Sequence, residues 1–182
     1  MFVQTEITPN PNSLKFLPGK KVSNNGSFEI TKKEELDNDL VRNLLSINGV
    51  EGVFLGSDFL SINKSKNIEW EEIKHIAISL INDFYSTGKE FVIENNLFEE
   101  RDKNQELIDI EKKIMKILDT KIRPAVAKDG GDIKFKAFND GVVKVELQGS
   151  CSGCPSSTMT LKQGVENLLR HYLPEIKEVV AE

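Results

Sequence analysis

The sequence predicts an α+β protein built from two small αβ domains, and three observations predict it. Short runs alternate apolar and polar residues, as where Val143, Val145 and Leu147 interleave with Lys144, Glu146 and Gln148, the period of a half-buried strand. Other runs repeat apolar residues at helical spacing, as in Trp70, Ile73, Ala77, Leu80, Ile81 and Phe84. Between residues 94 and 104 charged and amide side chains dominate, a solvated stretch of the kind found at domain boundaries. The expected division is therefore a first domain over residues 1–93, a linker over 94–104 and a second domain over 105–182. Relative motion of the two halves is the default expectation across such a linker.

In the first domain, Phe2-Val3 with Glu6-Ile7, and Leu14 with Phe16, carry two short β patterns. The run Thr8-Pro9-Asn10-Pro11-Asn12 between them is a rigid turn, because each proline fixes its own φ and biases its predecessor away from helix. Pro18-Gly19 and Asn24-Asn25-Gly26 mark further turns, and Phe28-Glu29-Ile30 a brief edge strand. Leu40, Val41, Leu44, Leu45 and Ile47 form a short helix closed by Asn48-Gly49. Val50 to Leu55 and Asp58 to Asn63 read as a hairpin around Gly56-Ser57, followed by a helix from Trp70 to Tyr85 with Trp70 in the core. Phe91-Val92-Ile93 reads as an added edge strand. This half holds no cysteine and no evident catalytic constellation.

The second domain reads α-β-β-α-β, a sheet covered by helices on one face. Leu107, Ile110, Ile114, Ile117 and Leu118 make the first helix, broken or kinked at Arg123-Pro124. Asp129-Gly130-Gly131-Asp132 is a turn rather than an acid–base pair, and whether its glycines lie near the cysteines is left open. Ile133, Phe135 and Ala137 alternate with Lys134 and Lys136, and Asn139-Asp140-Gly141 signals a hairpin to the Val143 strand. Leu161, Val165, Leu168, Leu169 and Tyr172 make the last helix, and Ile176 to Ala181 the last strand. Lys128, Lys134, Lys136 and Lys162 read as a solvated face.

Composition narrows the function. At formal charge −5 over 182 residues, with Lys and Arg scattered, there is no basic stripe for nucleic acid. No apolar run approaches membrane-spanning length. The opening Met1-Phe2-Val3-Gln4-Thr5-Glu6 has neither a secretory nor a transit-peptide bias, so the expected setting is bacterial cytoplasm, or the mitochondrial matrix in a eukaryote. Two cysteines in such a chain make no disulfide scaffold and suit a reducing compartment.

Those two cysteines carry the chemistry. Cys151 and Cys154 stand as Cys-x-x-Cys in Gly149-Ser150-Cys151-Ser152-Gly153-Cys154-Pro155, on the loop before a helix whose first position suits Pro155. The N–H groups and dipole of a helix start favour thiolate, so an exposed pair of low-pKa thiols, away from any apolar core face, is expected. Closed zinc and iron–sulfur sites take about four protein ligands, and this loop offers two. His171 lies on the same helix some 16 residues on, roughly 24 Å away, and cannot join them. His75 is not excluded by distance, but its surroundings read as an ordinary amphipathic helix. Two copies of the chain facing each other across a two-fold axis supply four sulfurs most simply. Thiol–disulfide exchange and a zinc-bridged interaction module are open alternatives for the same loop.

The succession Asp129-Gly-Gly-Asp132, the hairpin, Leu147-Gln-Gly149 with Cys-x-x-Cys-Pro-Ser-Ser, Thr160-Leu161-Lys162 and Gly164-Val165-Glu166 resembles the C-terminal domain of the NifU/Nfu family over residues 105–182. The run from Thr8 to Gly19, with Ile47-Asn-Gly-Val50, Val53-Phe54, Gly56-x-Asp58-Phe59 and Trp70, resembles the N-terminal domain of Nfu proteins. The resemblance implies a non-enzymatic iron–sulfur carrier. It implies a cluster, [4Fe–4S] favoured over [2Fe–2S], held between the Cys151 and Cys154 pairs of a homodimer. Upstream cluster donors and apo client proteins would be its partners. The cysteine-rich scaffold domain of longer NifU proteins is absent from these 182 residues, which favours carriage over assembly.

Overall fold

The computed structural model describes residues 2–24, 26–89, 109–152 and 155–181, with backbone alone for 155–158. The linker 94–104 and the Phe91-Val92-Ile93 strand lie outside the described residues.

The first half is one antiparallel sheet with two helices on one face. Its strands are β1 (Gln4–Ile7), β2 (Ser13–Leu17), β3 (Phe28–Ile30), β4 (Val50–Leu55) and β5 (Leu60–Lys64), in the order β1-β2-β5-β4-β3. Helix α1 (Asp39–Leu45) starts at Asn38, whose side chain accepts from the Val41 N–H, the orphan-donor cap expected of Asn. It ends at Leu45, and Gly49 takes φ +87° in the turn that follows rather than capping the helix directly. Helix α2 (Trp70–Ser86) buries Ile73, Ala77, Ile81 and Phe84. Trp70 packs partly buried against this core, and its indole N–H donates to Pro11 O at 3.0 Å.

Alternation along the strands sends two sets of residues to opposite sides. Leu14, Phe16, Ile30, Val53, Leu55, Leu60 and Ile62 face the helices and form the core. Lys15, Glu29, Phe54, Ser61 and Asn63 face the other way, onto the second half of the chain.

The second half begins with α3 (Asp109–Ile117), a wide π-helical turn over Leu118–Ile122, and α4 (Arg123–Lys128). Pro124 supplies no N–H to the preceding turn, and the widened turn lets the helix continue instead of breaking. Strand β6 (Gly131–Asn139) and antiparallel β7 (Val142–Gly149) are joined through Asp140 at φ 50° and Gly141 at φ 83°, a pair of left-handed residues suited to a two-residue hairpin. Helix α5 (Pro155–Tyr172) then leads to β8 (Glu178–Ala181), parallel to β7. Ile114, Leu118, Val126, Val145, Leu147, Val165 and Leu169 form a second core between the sheet and the helices.

The two halves are docked, against the default expectation of independent motion. Lys134, expected on a solvated face, is half-buried in the junction and donates to Ser27 O at 3.0 Å; burial pushes its ammonium below the ordinary lysine range. Among the described residues, no helix is long and apolar enough to cross a membrane.

Candidate metal centre at the cysteine loop

The cysteine loop begins where β7 ends. Gly149, at φ +67°, turns the chain out of the sheet, a conformation that glycine adopts without steric cost. The turned backbone is stitched to the Asp129–Asp132 turn: Ser150 N–H donates to Gly130 O at 3.2 Å, and the Ser150 hydroxyl donates to Asp129 O. A Cβ on Gly131 would stand 2.8 Å from Cys151 Sγ and 2.5 Å from Gln148 O. Gly131 is therefore the floor on which Cys151 rests, while a Cβ on Gly130 would instead meet Ser61 Oγ at 2.8 Å.

Cys151 is only 7% exposed and packs into the second core with Leu147 and Val165. This overturns the expectation of an exposed, low-pKa thiol at this position. Burial pushes the Cys151 thiol up to about 11, with the Asp129 and Asp132 carboxylates adding to the rise and a Ser150 hydrogen bond opposing it. The helix dipole does not rescue it, because α5 starts four residues further on and the effect fades within one turn. Cys154 lies outside the described residues.

Cys151 lines an open cleft of about 540 Å³, walled by Ile122, Val126, Leu161 and Val165 with Lys121 and Asp129 at its polar edge. Pro9 of the first half contributes to the same wall. His75 is exposed on α2 and His171 is exposed at the end of α5. Among the described residues, no group of three or more His, Cys, Asp or Glu side chains is placed to hold a metal ion.

Sequence reading missed two features around the loop. Asp132, expected only in a turn, is 5% exposed and receives Arg123 Nε at 2.9 Å and Nη2 at 2.8 Å, the Ser27 hydroxyl and the Ile133 N–H. Burial alone would raise its carboxyl, but Arg123 and Ser27 more than offset this and hold it below the usual carboxylate range. The Asp-x-x-Asp spacing signals a turn and carries no sign of this pairing. The second feature is Asn10, buried at the domain junction in what reads as a plain Pro-Asn-Pro turn.

Residues 3–88 match the family profile described as scaffold protein Nfu/NifU N terminal, and residues 114–180 match the NifU-like domain. A human protein named NFU1 iron-sulfur cluster scaffold homolog, mitochondrial, is 42% identical over 98% of this chain and 71% of its own length. The chain belongs to the NifU/Nfu family. Another Nfu relative, NifU-like protein 4, mitochondrial, from Arabidopsis thaliana, is 43% identical over the whole chain and 66% of its own length. The chain thus spans about two thirds of the length of these Nfu relatives. The solution structure of a NifU-like protein from Saccharomyces cerevisiae covers 51% of this chain and 85% of its own at 29% identity, with a TM-score of 0.46.

Proposed function

We propose that this chain is an iron–sulfur cluster carrier in which Cys151 and Cys154 of two copies hold one cluster, [4Fe–4S], between them. The observation that carries the reading is the ligand count around Cys151. The chain has two cysteines in all, and the described residues add no further group of ligating side chains beside them. A four-sulfur site therefore takes its second pair from another copy. The name of the human relative, a mitochondrial iron–sulfur cluster scaffold homolog, supports the same cargo and a mitochondrial compartment in a eukaryotic host. The domains run from residue 1 to 93 and from 105 to 182, with the cargo on the second.

Transfer to an apo client is a ligand exchange. A client thiol gives up its proton and its sulfur bonds iron, while the iron–sulfur bond to one cysteine of the carrier breaks and that sulfur takes a proton. Repeated over the ligands, the cluster passes with its iron, sulfide and electron count unchanged. Upstream donors load the carrier by the reverse steps. Burial, which raises the Cys151 thiol, weakens that sulfur as an attacking group for disulfide exchange. Metal binding displaces the proton directly.

The test is native mass spectrometry after anaerobic reconstitution with iron and sulfide. A dimer bearing one four-iron, four-sulfide increment, lost in Cys154→Ser and kept in His75→Ala, is the expected result. A dimer holding only zinc, or an intramolecular disulfide in a monomer, would overturn the reading.

A further inference from the structure

The cysteine loop is gripped on the side away from the apolar cleft, and the grip comes from the N-terminal sheet. Asn10 Oδ1 accepts from the Asn12 N–H at 2.9 Å, and Thr8 Oγ1 accepts from the Asn10 N–H at 3.2 Å, so the orientation of the amide is set within its own turn. That leaves Nδ2 to donate, and it reaches Ser150 O at 3.1 Å and Ser152 O at 3.4 Å. These are the carbonyls on either side of Cys151. Asn63 Nδ2 donates to Gly149 O at 3.1 Å, and Glu29 Oε1 accepts from the Ser152 hydroxyl at 3.2 Å. Cys151 opens to the apolar cleft, whereas Asn10, Asn63, Glu29 and Ser152 line a separate polar one.

We infer that Asn10, seconded by Asn63, is a positioning residue for the cargo site. Resting on the carrier reading, the inference makes the N-terminal domain a clamp that fixes the backbone on both sides of Cys151 and so sets how long cargo is held. A ligand loop ordered beforehand loses less freedom when its metal arrives, and binding is tighter by that difference. Because both asparagines grip carbonyl oxygens, they read the shape of the loop and not its side chains. Neither asparagine donates to the ligating sulfur, so both act through the backbone.

Asn10→Asp in the full chain separates this role from a local one. The carboxylate keeps the acceptor for the Asn12 N–H, and with it the turn, but replaces the donating amide with an oxygen facing two carbonyls. Asn63→Ala removes the second grip at a different strand. Two readouts apply: amide hydrogen exchange over residues 149–152 in the metal-free chain, and loss of reconstituted cluster to EDTA followed by visible absorbance and visible circular dichroism. Both variants are expected to exchange faster in the loop, to keep wild-type protection in β2 and β5, and to release cluster roughly tenfold faster, the factor for one buried hydrogen bond. The circular dichroism of the bound cluster should also change. Unchanged loop exchange and release in both variants, beside a wild type that loads normally, would sink the clamp and leave the carrier standing. A wild-type chain that loads no cluster would sink the carrier and, with it, the cargo role of Asn10.

Discussion

Gly131 and Cys151 meet backbone to side chain, so closely that a methyl on Gly131 would lie 2.8 Å from Sγ. The obstacle on its other side, Gln148 O at 2.5 Å, is backbone of the paired strand and cannot swing away. Gly131→Ala therefore has to push Cys151 off its seat or part β6 from β7. Overpacking of this kind costs about 1–3 kcal/mol. The expected outcome is a lowered urea midpoint together with weakened cluster retention. Wild-type stability and retention in Gly131→Ala would mean that the glycine floor does not set the place of Cys151.

Cys151→Ser is expected to do more than remove a ligand. Its thiol belongs to an apolar core and not to the exposed loop that the sequence predicts, so the substitution also reaches the packing of the fold. A hydroxyl buried there without a full set of partners costs on the order of 1–2 kcal/mol. Chemical denaturation of the metal-free chain should show that loss, and Cys151→Ala, which leaves no polar group, should be the milder change. Equal stability of the serine variant and wild type would contradict the buried placement.

The elements were legible in the sequence because period and turn chemistry are local. The Val143–Leu147 alternation, the Asn139-Asp140-Gly141 turn and the Trp70 helix all stand where the pattern put them. What the pattern could not reveal was what covers a polar face. Ser61 and Asn63 alternate with Leu60 and Ile62 as they would in a strand facing water, yet Ser61 Oγ donates to Gly130 O at 2.7 Å across the junction. A polar face under solvent and a polar face under a second domain have the same period. The same limit hid the burial of Cys151, since a Gly/Ser/Pro loop reads as exposed until the turn it folds onto is known. The family resemblance, by contrast, lay in motif order and needed no geometry.

Phe54 tests the docking of the halves. It is 1% exposed, stands apart from the first core, and its ring would lie 3.0 Å from a Cβ on Gly149. Its neighbour Phe59, with ring centroids 5.8 Å apart, carries the Lys15 ammonium 4.7 Å above its own ring. Phe54→Ala is expected to cost about 3 kcal/mol and to split one thermal transition into two, as each half melts on its own. A single transition displaced downward as a unit would show that coupling runs through other contacts.

Arg123 and Asp132 give the fold an acid limit of defined sign. The Asp132 carboxyl is held below its ordinary value, so the folded chain binds its proton less readily than the unfolded one does. The stability this contributes is complete above the unfolded carboxylate range, near pH 4, and is lost as pH falls through the lower folded value. Arg123→Met leaves Asp132 buried with the Ser27 hydroxyl and the Ile133 N–H but without its cation. Because the Arg123 side chain is 37% exposed, the loss should be on the order of 2 kcal/mol, less than for a fully buried pair. Burial, no longer opposed by the guanidinium, then raises the carboxyl, so the stability that wild type gains as pH rises through the carboxylate range is diminished or reversed in the variant. Urea midpoints measured across the acid range would show this as two curves that diverge as pH rises from the acid end. Curves that stay parallel would mean that Arg123 stabilises the fold by packing and not by charge.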